Sequence, residues 1–146
     1  MSFRDLVLLA ALGVATSCGT PSRSPERSLN RDTASQPLDG SIEASVDREV
    51  AFAFRVVNRD SRVEVMFPSG QTHDFVVMDS TGRELWRWSE GRMFTQALQT
   101  RVLDRGDTLV FRATWDPATL RGRFTVLARL LSSNYPLERR TDFVVP

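Results

Sequence analysis

From Val50 onward, apolar residues recur at every second position in short runs that end on turn-forming residues, and this period of two confines the chain to β-strands. Val50, Phe52, Phe54 and Val56 fall on one strand face, and the Asn58-Arg59-Asp60-Ser61 cluster ends the run. Val63, Val65 and Phe67 alternate with Arg62, Glu64 and Met66 in a second strand that stops at Pro68. Pro68-Ser69-Gly70 is a turn by mechanism, because proline presets φ at one corner and glycine tolerates positive φ at the next. A third strand spans Asp74 to Asp79, and Ser80-Thr81-Gly82 folds it back into a fourth from Arg83 to Ser89. Further strands are expected over Phe94 to Leu103, Thr108 to Thr114, Arg123 to Leu131 and Asp142 to Val145.

No segment carries a helical period. Short strands separated by turn signals over about 100 residues predict an all-β fold, an immunoglobulin-like antiparallel β-sandwich of about seven to nine strands. A closed barrel is the alternative. The chain has 146 residues, of which 41% are hydrophobic and 25% charged, the balance of one soluble core. Its formal net charge of +1 gives nucleic acid no electrostatic footprint, and all 19 basic residues are arginine.

The single cysteine, Cys18, excludes an internal disulfide framework. It follows an apolar run from Leu6 to Ala15, too short for a bilayer span, in the layout of a secretory signal peptide. Ala15 and Ser17 fit an ordinary small-x-small cleavage site. Val14-Ala15-Thr16-Ser17-Cys18 also resembles a bacterial lipobox, whose cysteine is lipidated and becomes the mature N-terminus. An unpaired thiol in an exported chain favours lipidation. The expected organisation is a signal peptide over 1–17, a lipidated N-terminus and flexible linker over 18–45, and a β-sandwich domain over 46–146. The linker is rich in Ser, Pro, Arg, Thr, Asp and Gln, too polar to offset its own ordering entropy. The expected location is the cell envelope, facing the periplasm or the cell surface and held to the membrane only by lipid.

Residues capable of chemistry are few. Ser69, His73 and Asp74 are close in sequence, but strand neighbours point to opposite faces, which breaks a triad, and the only histidine reads as a solvent-facing strand residue. One histidine and no cysteine in the domain leave no metal centre of the nitrogen and sulfur kind, and Asp104 to Asp107 lacks calcium-loop spacing. Arg105-Gly106-Asp107 is an adhesion tripeptide elsewhere, and here it is what a hairpin turn favours. Neither an enzyme nor a cofactor is expected. In Trp86-Arg87-Trp88, alternation puts both tryptophans on the Glu84 face and turns Leu85 and Arg87 away. Tryptophan fills cores, and tryptophan and arginine also anchor binding hot spots, so both roles stand. Met93 and Phe94 read as core.

Four ordered motifs carry a resemblance to a known family. Phe67-Pro68-Ser69-Gly70-Gln71, Asp74-Phe75-Val76-Val77, Trp86-Arg87-Trp88-Ser89 and Met93-Phe94-Thr95-Gln96-Ala97-Leu98 resemble the intracellular proteinase inhibitor family of the BsuPI type. The Gly106-Asp107 turn, the strand ending in Thr114-Trp115-Asp116 and the Gly122-Arg123-Phe124-Thr125-Val126 strand are similar to that family's C-terminal half. The resemblance runs from near Val50 to Leu131. It implies an immunoglobulin-like sandwich without a cofactor, whose partner is a protein and whose named activity is inhibition of a subtilisin-like serine proteinase.

The expected function is therefore a cell-envelope lipoprotein with a BsuPI-like protein-binding domain that inhibits a serine proteinase. A non-inhibitory envelope scaffold is the alternative. The candidate binding loops are Pro68 to Thr72, Ser89 to Arg92, Asp116 to Gly122 and Ser132 to Pro136. The candidate contact residues are Ser69, Gln71, Trp86, Arg87 and Trp88.

Overall fold

The computed structural model describes residues 36–146. The leader, Cys18 and most of the linker, with the processing and lipidation expected of them, lie outside the described residues. Nine strands follow in order: β1 (Leu38–Val46), β2 (Val50–Asn58), β3 (Val63–Phe67), β4 (His73–Asp79), β5 (Glu84–Arg87), β6 (Gln99–Leu103), β7 (Thr108–Trp115), β8 (Gly122–Leu130) and β9 (Leu137–Val145). Every pairing is antiparallel. One sheet has the order β1-β2-β7, the other β5-β4-β8-β9, and β3 pairs with β6. The described residues form an all-β sandwich, as the alternation predicts, and its separate sheets set aside the closed barrel.

Phe52, Phe54 and Val56 of β2 meet Phe75 and Val77 of β4, Phe124, Val126, Ala128 and Leu130 of β8, and Phe143 and Val145 of β9 in one buried cluster. Phe143 packs edge-on against Phe52 at 5.5 Å between ring centroids and against Trp115 at 6.1 Å. Offset and edge-to-face aromatic pairs of this kind add about 0.5–1.5 kcal/mol each beyond the area they bury. Strand β4 is buried on both faces. Its Val76 lies in a cross-strand row between Arg87 and Leu127, with Arg140 next to Leu127, and both Val76 and Leu127 are buried.

The structure corrects three expectations at the chain's irregular places. Residues 38–45, expected in the linker, belong to β1, where burial alternates residue by residue: Leu38, Gly40, Ile42, Ala44 and Val46 face inward and Asp39, Ser41, Glu43 and Ser45 outward. Glycine and alanine at inward positions hide the period. Gly40 is small for a reason, since a Cβ there would come within 2.7 Å of the Leu137 side chain on β9. The last strand begins at Leu137 rather than Asp142, because the inward positions 139 and 141 hold Arg and Thr. The Arg139 Nε–H donates to the Gly40 carbonyl at 2.8 Å, so an inward arginine bridges the two sheets. Finally, residues 94–98 form no strand, and β6 starts only at Gln99.

The β3-β6 pair continues the β2-β7 ladder around a corner. Val57 pairs with Thr108 on one side of the corner and Val63 with Leu103 on the other. Between them Asn58, fully buried, holds the backbone together. Its backbone N–H donates to the Asp107 carbonyl at 3.0 Å and its own carbonyl accepts from Gly106 N–H at 2.8 Å. Its side-chain amide donates to the Ser61 carbonyl at 2.8 Å and the Leu103 carbonyl at 3.0 Å. Gly106 has φ +90°, a conformation that an L side chain resists. Strands that change direction by a local irregularity are the usual way a sandwich turns its corners. The residues read as turn signals, Asn58 to Ser61 and Asp104 to Asp107, are thus the two facing halves of one corner.

A candidate protein-binding loop between β5 and β6

The connection from Trp88 to Leu98 is the longest irregular stretch between strands, and it is tied down from its first residue. Trp88 N–H donates to the Phe75 carbonyl at 2.9 Å, extending the β4-β5 ladder by one bond. Behind it, Asp74 is 3% exposed and its carboxylate accepts four hydrogen bonds. Oδ1 accepts from the Phe75 and Ser89 backbone N–H groups at 3.0 and 3.1 Å. Oδ2 accepts from Arg87 Nη1 and the Ser89 hydroxyl, each at 2.9 Å. A buried carboxylate survives only with partners of this kind. Asp74 thereby fixes the point where β5 ends and the loop begins.

Arg87 is equally committed. Its Nε and Nη2 donate to the two Glu84 carboxylate oxygens at 2.9 and 2.6 Å while Nη1 reaches Asp74. The hydrogen bonds to Glu84, and then those to Asp74, raise its pKa above the ordinary guanidinium range, against the opposing effect of burial. Glu84 and Arg87 were expected on opposite faces. A bulge between Val77 and Met78 shifts the β4-β5 register and brings them together.

Past Ser89 the chain makes two tight bonds, Glu90 N–H to the Arg87 carbonyl at 3.2 Å and Arg92 N–H to the Ser89 carbonyl at 3.1 Å, around Gly91 at φ +71°. The Arg92 side chain folds back. Its Nε donates to the Trp88 carbonyl at 2.7 Å and its guanidinium lies 4.5 Å from the centre of the Trp88 ring. Phe94 packs on Trp88 from the next turn of chain, with centroids 5.8 Å apart. Trp88 in turn stacks on His73 at 4.2 Å, and His73 on Phe111 of β7 at 4.3 Å. One residue later, the Thr95 carbonyl accepts from Gly70 N–H at 2.8 Å, joining this loop to the β3-β4 loop. Gly70 has no room for a side chain there, because a Cβ would fall 2.6 Å from Thr95 Oγ1.

Met93 sits between these two anchored neighbours and is 98% exposed, and Leu98 at the end of the loop is 79% exposed. Both Met93 and Phe94 were expected in the core. Phe94 is half-buried, whereas Met93 touches solvent on nearly its whole surface. No sequence signal marks the difference, since an apolar residue two positions after a glycine turn reads as the start of a strand.

His73 is half-buried rather than solvent-facing. Burial between the aromatic rings lowers its pKa from 6.5 to about 4, with Asp74 opposing the shift and Arg92 adding to it. Its Nδ1 lies 3.2 Å from the Thr72 hydroxyl. Ser69 Oγ instead accepts from Gln71 N–H at 3.2 Å, and Asp74 is bound to Arg87 and Ser89, so Ser69, His73 and Asp74 form no relay. Among the described residues there is no cluster of three or more His, Cys, Asp or Glu able to hold a metal ion.

The remaining candidates divide by position. Ser69 and Gln71 line an open cleft of about 450 Å³ together with Arg129 and the β8-β9 loop. That loop is fixed against β3: Met66 N–H donates to Asn134 Oδ1 at 3.0 Å, and Asn134 Nδ2 donates to the Glu64 carbonyl at 2.7 Å. Its neighbour Leu131 donates from N–H to the Thr72 carbonyl at 2.9 Å. Trp86 packs toward the core, 6.3 Å from Phe52. Trp88 lines a second cleft with Arg92 and Arg112, beside β7. The Asp116 to Gly122 loop lies at the other end of β8 from the Leu130 to Leu137 connection, so it joins none of these groups.

The family model described as BsuPI, intracellular proteinase inhibitor, matches residues 38–135, from the first residue of β1 into the β8-β9 loop. The chain belongs to the BsuPI family of intracellular proteinase inhibitors. No curated protein matches it. Among solved structures it is similar to part of a beta-glucosidase from Kluyveromyces marxianus, at 14% identity over 74% of this chain and 13% of that one, with a TM-score of 0.38. It is also similar to a protein described as ApaA from Bordetella pertussis, at 18% identity over 75% and 94% of the two chains, with a TM-score of 0.36. A protein from Archaeoglobus fulgidus matches at 10% identity over 75% and 95%, with a TM-score of 0.38. The chain spans only a small part of the beta-glucosidase it matches.

Proposed function

We propose that this chain is an exported, lipid-anchored inhibitor whose sandwich presents the end carrying the β3-β4 and β5-β6 loops to a serine proteinase of the subtilisin-like kind. Family membership supports a proteinase as the partner. The observation that carries the choice of site is the Gly70 to Thr95 backbone bond, which joins the two loops, together with the Asp74 carboxylate that pins Ser89. An inhibitor that binds through a loop gains affinity when that loop is ordered beforehand, because the entropy of ordering is then not charged against binding. With no cysteine in the domain, hydrogen bonds and the aromatic stack on Trp88 supply the rigidity that disulfides give other small inhibitors.

The purified chain, added in stoichiometric excess to subtilisin-like proteinases, is expected to slow cleavage of a peptide substrate. Digestion of the chain, or an unchanged rate, overturns the reading. The leader-like residues 1–17 and the lone Cys18 support export and anchoring. An exported inhibitor acts on a proteinase outside the cytoplasm, whatever the family's name implies. A Cys18→Ser variant is expected to move from the membrane fraction to the soluble fraction, and an unaltered distribution counts against the anchor.

A further inference from the structure

We infer that Met93 is the side chain this inhibitor inserts into the primary specificity pocket of its proteinase, and that the pocket is apolar; the inference rests on the inhibitory reading and names the kind of partner it requires. The loop is built so that one residue projects. Arg92 is folded onto the Trp88 carbonyl and ring, Phe94 packs on the same ring, and Thr95 is bonded to Gly70, which leaves Met93 alone at the apex and 98% exposed. A fully exposed methionine held between two anchored neighbours contributes nothing to packing. Its surface becomes useful only when a partner covers it.

The chemistry of that side chain selects among pocket types. Serine proteinases differ at this pocket, with an acidic base suited to Arg or Lys, an open apolar slot suited to large unbranched or aromatic residues, or a shallow pocket for small ones. Methionine is unbranched, apolar and adaptable, which suits the apolar slot. Arg92 is folded back on Trp88 through its Nε and its ring contact, so the side chain that projects from the apex is the apolar Met93. Leu98, 79% exposed at the end of the same loop, supplies a second apolar contact to the rim.

The test uses the full chain and two proteinases, a subtilisin-like one with an apolar pocket and a trypsin-like one with an acidic pocket. Met93→Leu is expected to keep inhibition of the first within about fivefold, and Met93→Asp to weaken it on the order of 100-fold or more, since it would bury an unpaired carboxylate. Met93→Arg is expected to lose the first proteinase and gain inhibition of the second. Thermal unfolding of all three variants should match the parent, which separates loss of contact from loss of fold. Full inhibition by Met93→Asp overturns the assignment of Met93 and leaves the inhibitory reading standing. Loss in Met93→Asp with no gain in Met93→Arg overturns the pocket insertion. Failure of the parent chain to inhibit either enzyme overturns the inhibitory reading and this inference with it.

Discussion

Two irregular regions of the domain use opposite side-chain chemistry. At the corner between β2-β7 and β3-β6, a polar residue is completely buried: Asn58 satisfies carbonyls on both sides of the bend and is 0% exposed. At the β5-β6 loop, an apolar residue is almost completely exposed. Each inverts the ordinary rule that apolar residues go inside and polar ones outside, and the inversion tells what each region is for. A buried amide costs free energy unless every donor finds an acceptor, so its presence marks a position whose geometry the fold depends on. An exposed methionine is neutral to the isolated fold, so its place on a rigid loop points outward to a partner.

The sharpest way to break this contrast is Asn58→Ala. It leaves the buried Leu103 carbonyl and the partly buried Ser61 carbonyl without their amide donor, and the expected loss is about 2–4 kcal/mol by urea unfolding. A loss under 1 kcal/mol would show that the corner is held by its apolar neighbours instead. Asp74→Ala comes next, with an expected loss of about 2–3 kcal/mol, because four hydrogen bonds go while Arg87 keeps its Glu84 partner. The same variant frees Ser89. On the inhibitory reading it also weakens inhibition more than its stability loss explains, measured at a temperature where the variant is fully folded.

The paired carboxylate and the corner amide show how far the chain could be read from its residues alone. Strands β2, β3 and β8 announce themselves through inward apolar residues at every second position, and β4 through a short continuous apolar run bounded by turn signals, the mark of a strand buried on both faces. Strand β1 goes unread and β9 is read only from Asp142, because their inward positions include Gly40, Ala44, Arg139 and Thr141, which mark no apolar face. Gly40 is explained by Leu137 and Arg139 by the Gly40 carbonyl, both about a hundred residues away in the chain. Trp88 was legible as either core or interface and proves to be the floor on which Arg92, Phe94 and His73 all rest. Arg87 looked free to bind a partner until the β-bulge brought Glu84 beside it. Met93 was invisible as a surface residue because exposure depends on what the neighbouring loops leave uncovered, and local pattern carries no record of that.

The aromatic stack under the loop gives a smaller, pH-dependent effect. His73 binds its proton less readily in the folded chain, at about pH 4, than at its ordinary 6.5, because the stack with Trp88 and Phe111 removes it from water. The unfolded chain therefore holds more protons between those two values, and stability falls as pH drops from 6.5 toward 4. The ring is partly open to solvent, so screening reduces the effect to about 1–2 kcal/mol across the window. His73→Phe keeps the stack and removes the titration. Its urea midpoint should vary less than that of the parent between pH 6.5 and 4, and an identical slope in the two proteins would assign the pH dependence to other groups.

The smallest expected effect is the most telling for the comparison. Met93→Ala removes a long apolar side chain, a change that costs about 2–5 kcal/mol in a core. Met93 has almost no neighbours to lose, so unfolding of Met93→Ala should agree with the parent within about 0.5 kcal/mol. Phe94→Ala, one residue further on, removes a ring from the Trp88 floor and should cost more than Met93→Ala in the same assay. A reversed order would mean that the loop packs through Met93 in solution. The apex would then be a structural plug, and the contrast between a corner that buries a polar group and a loop that exposes an apolar one would fail at the loop.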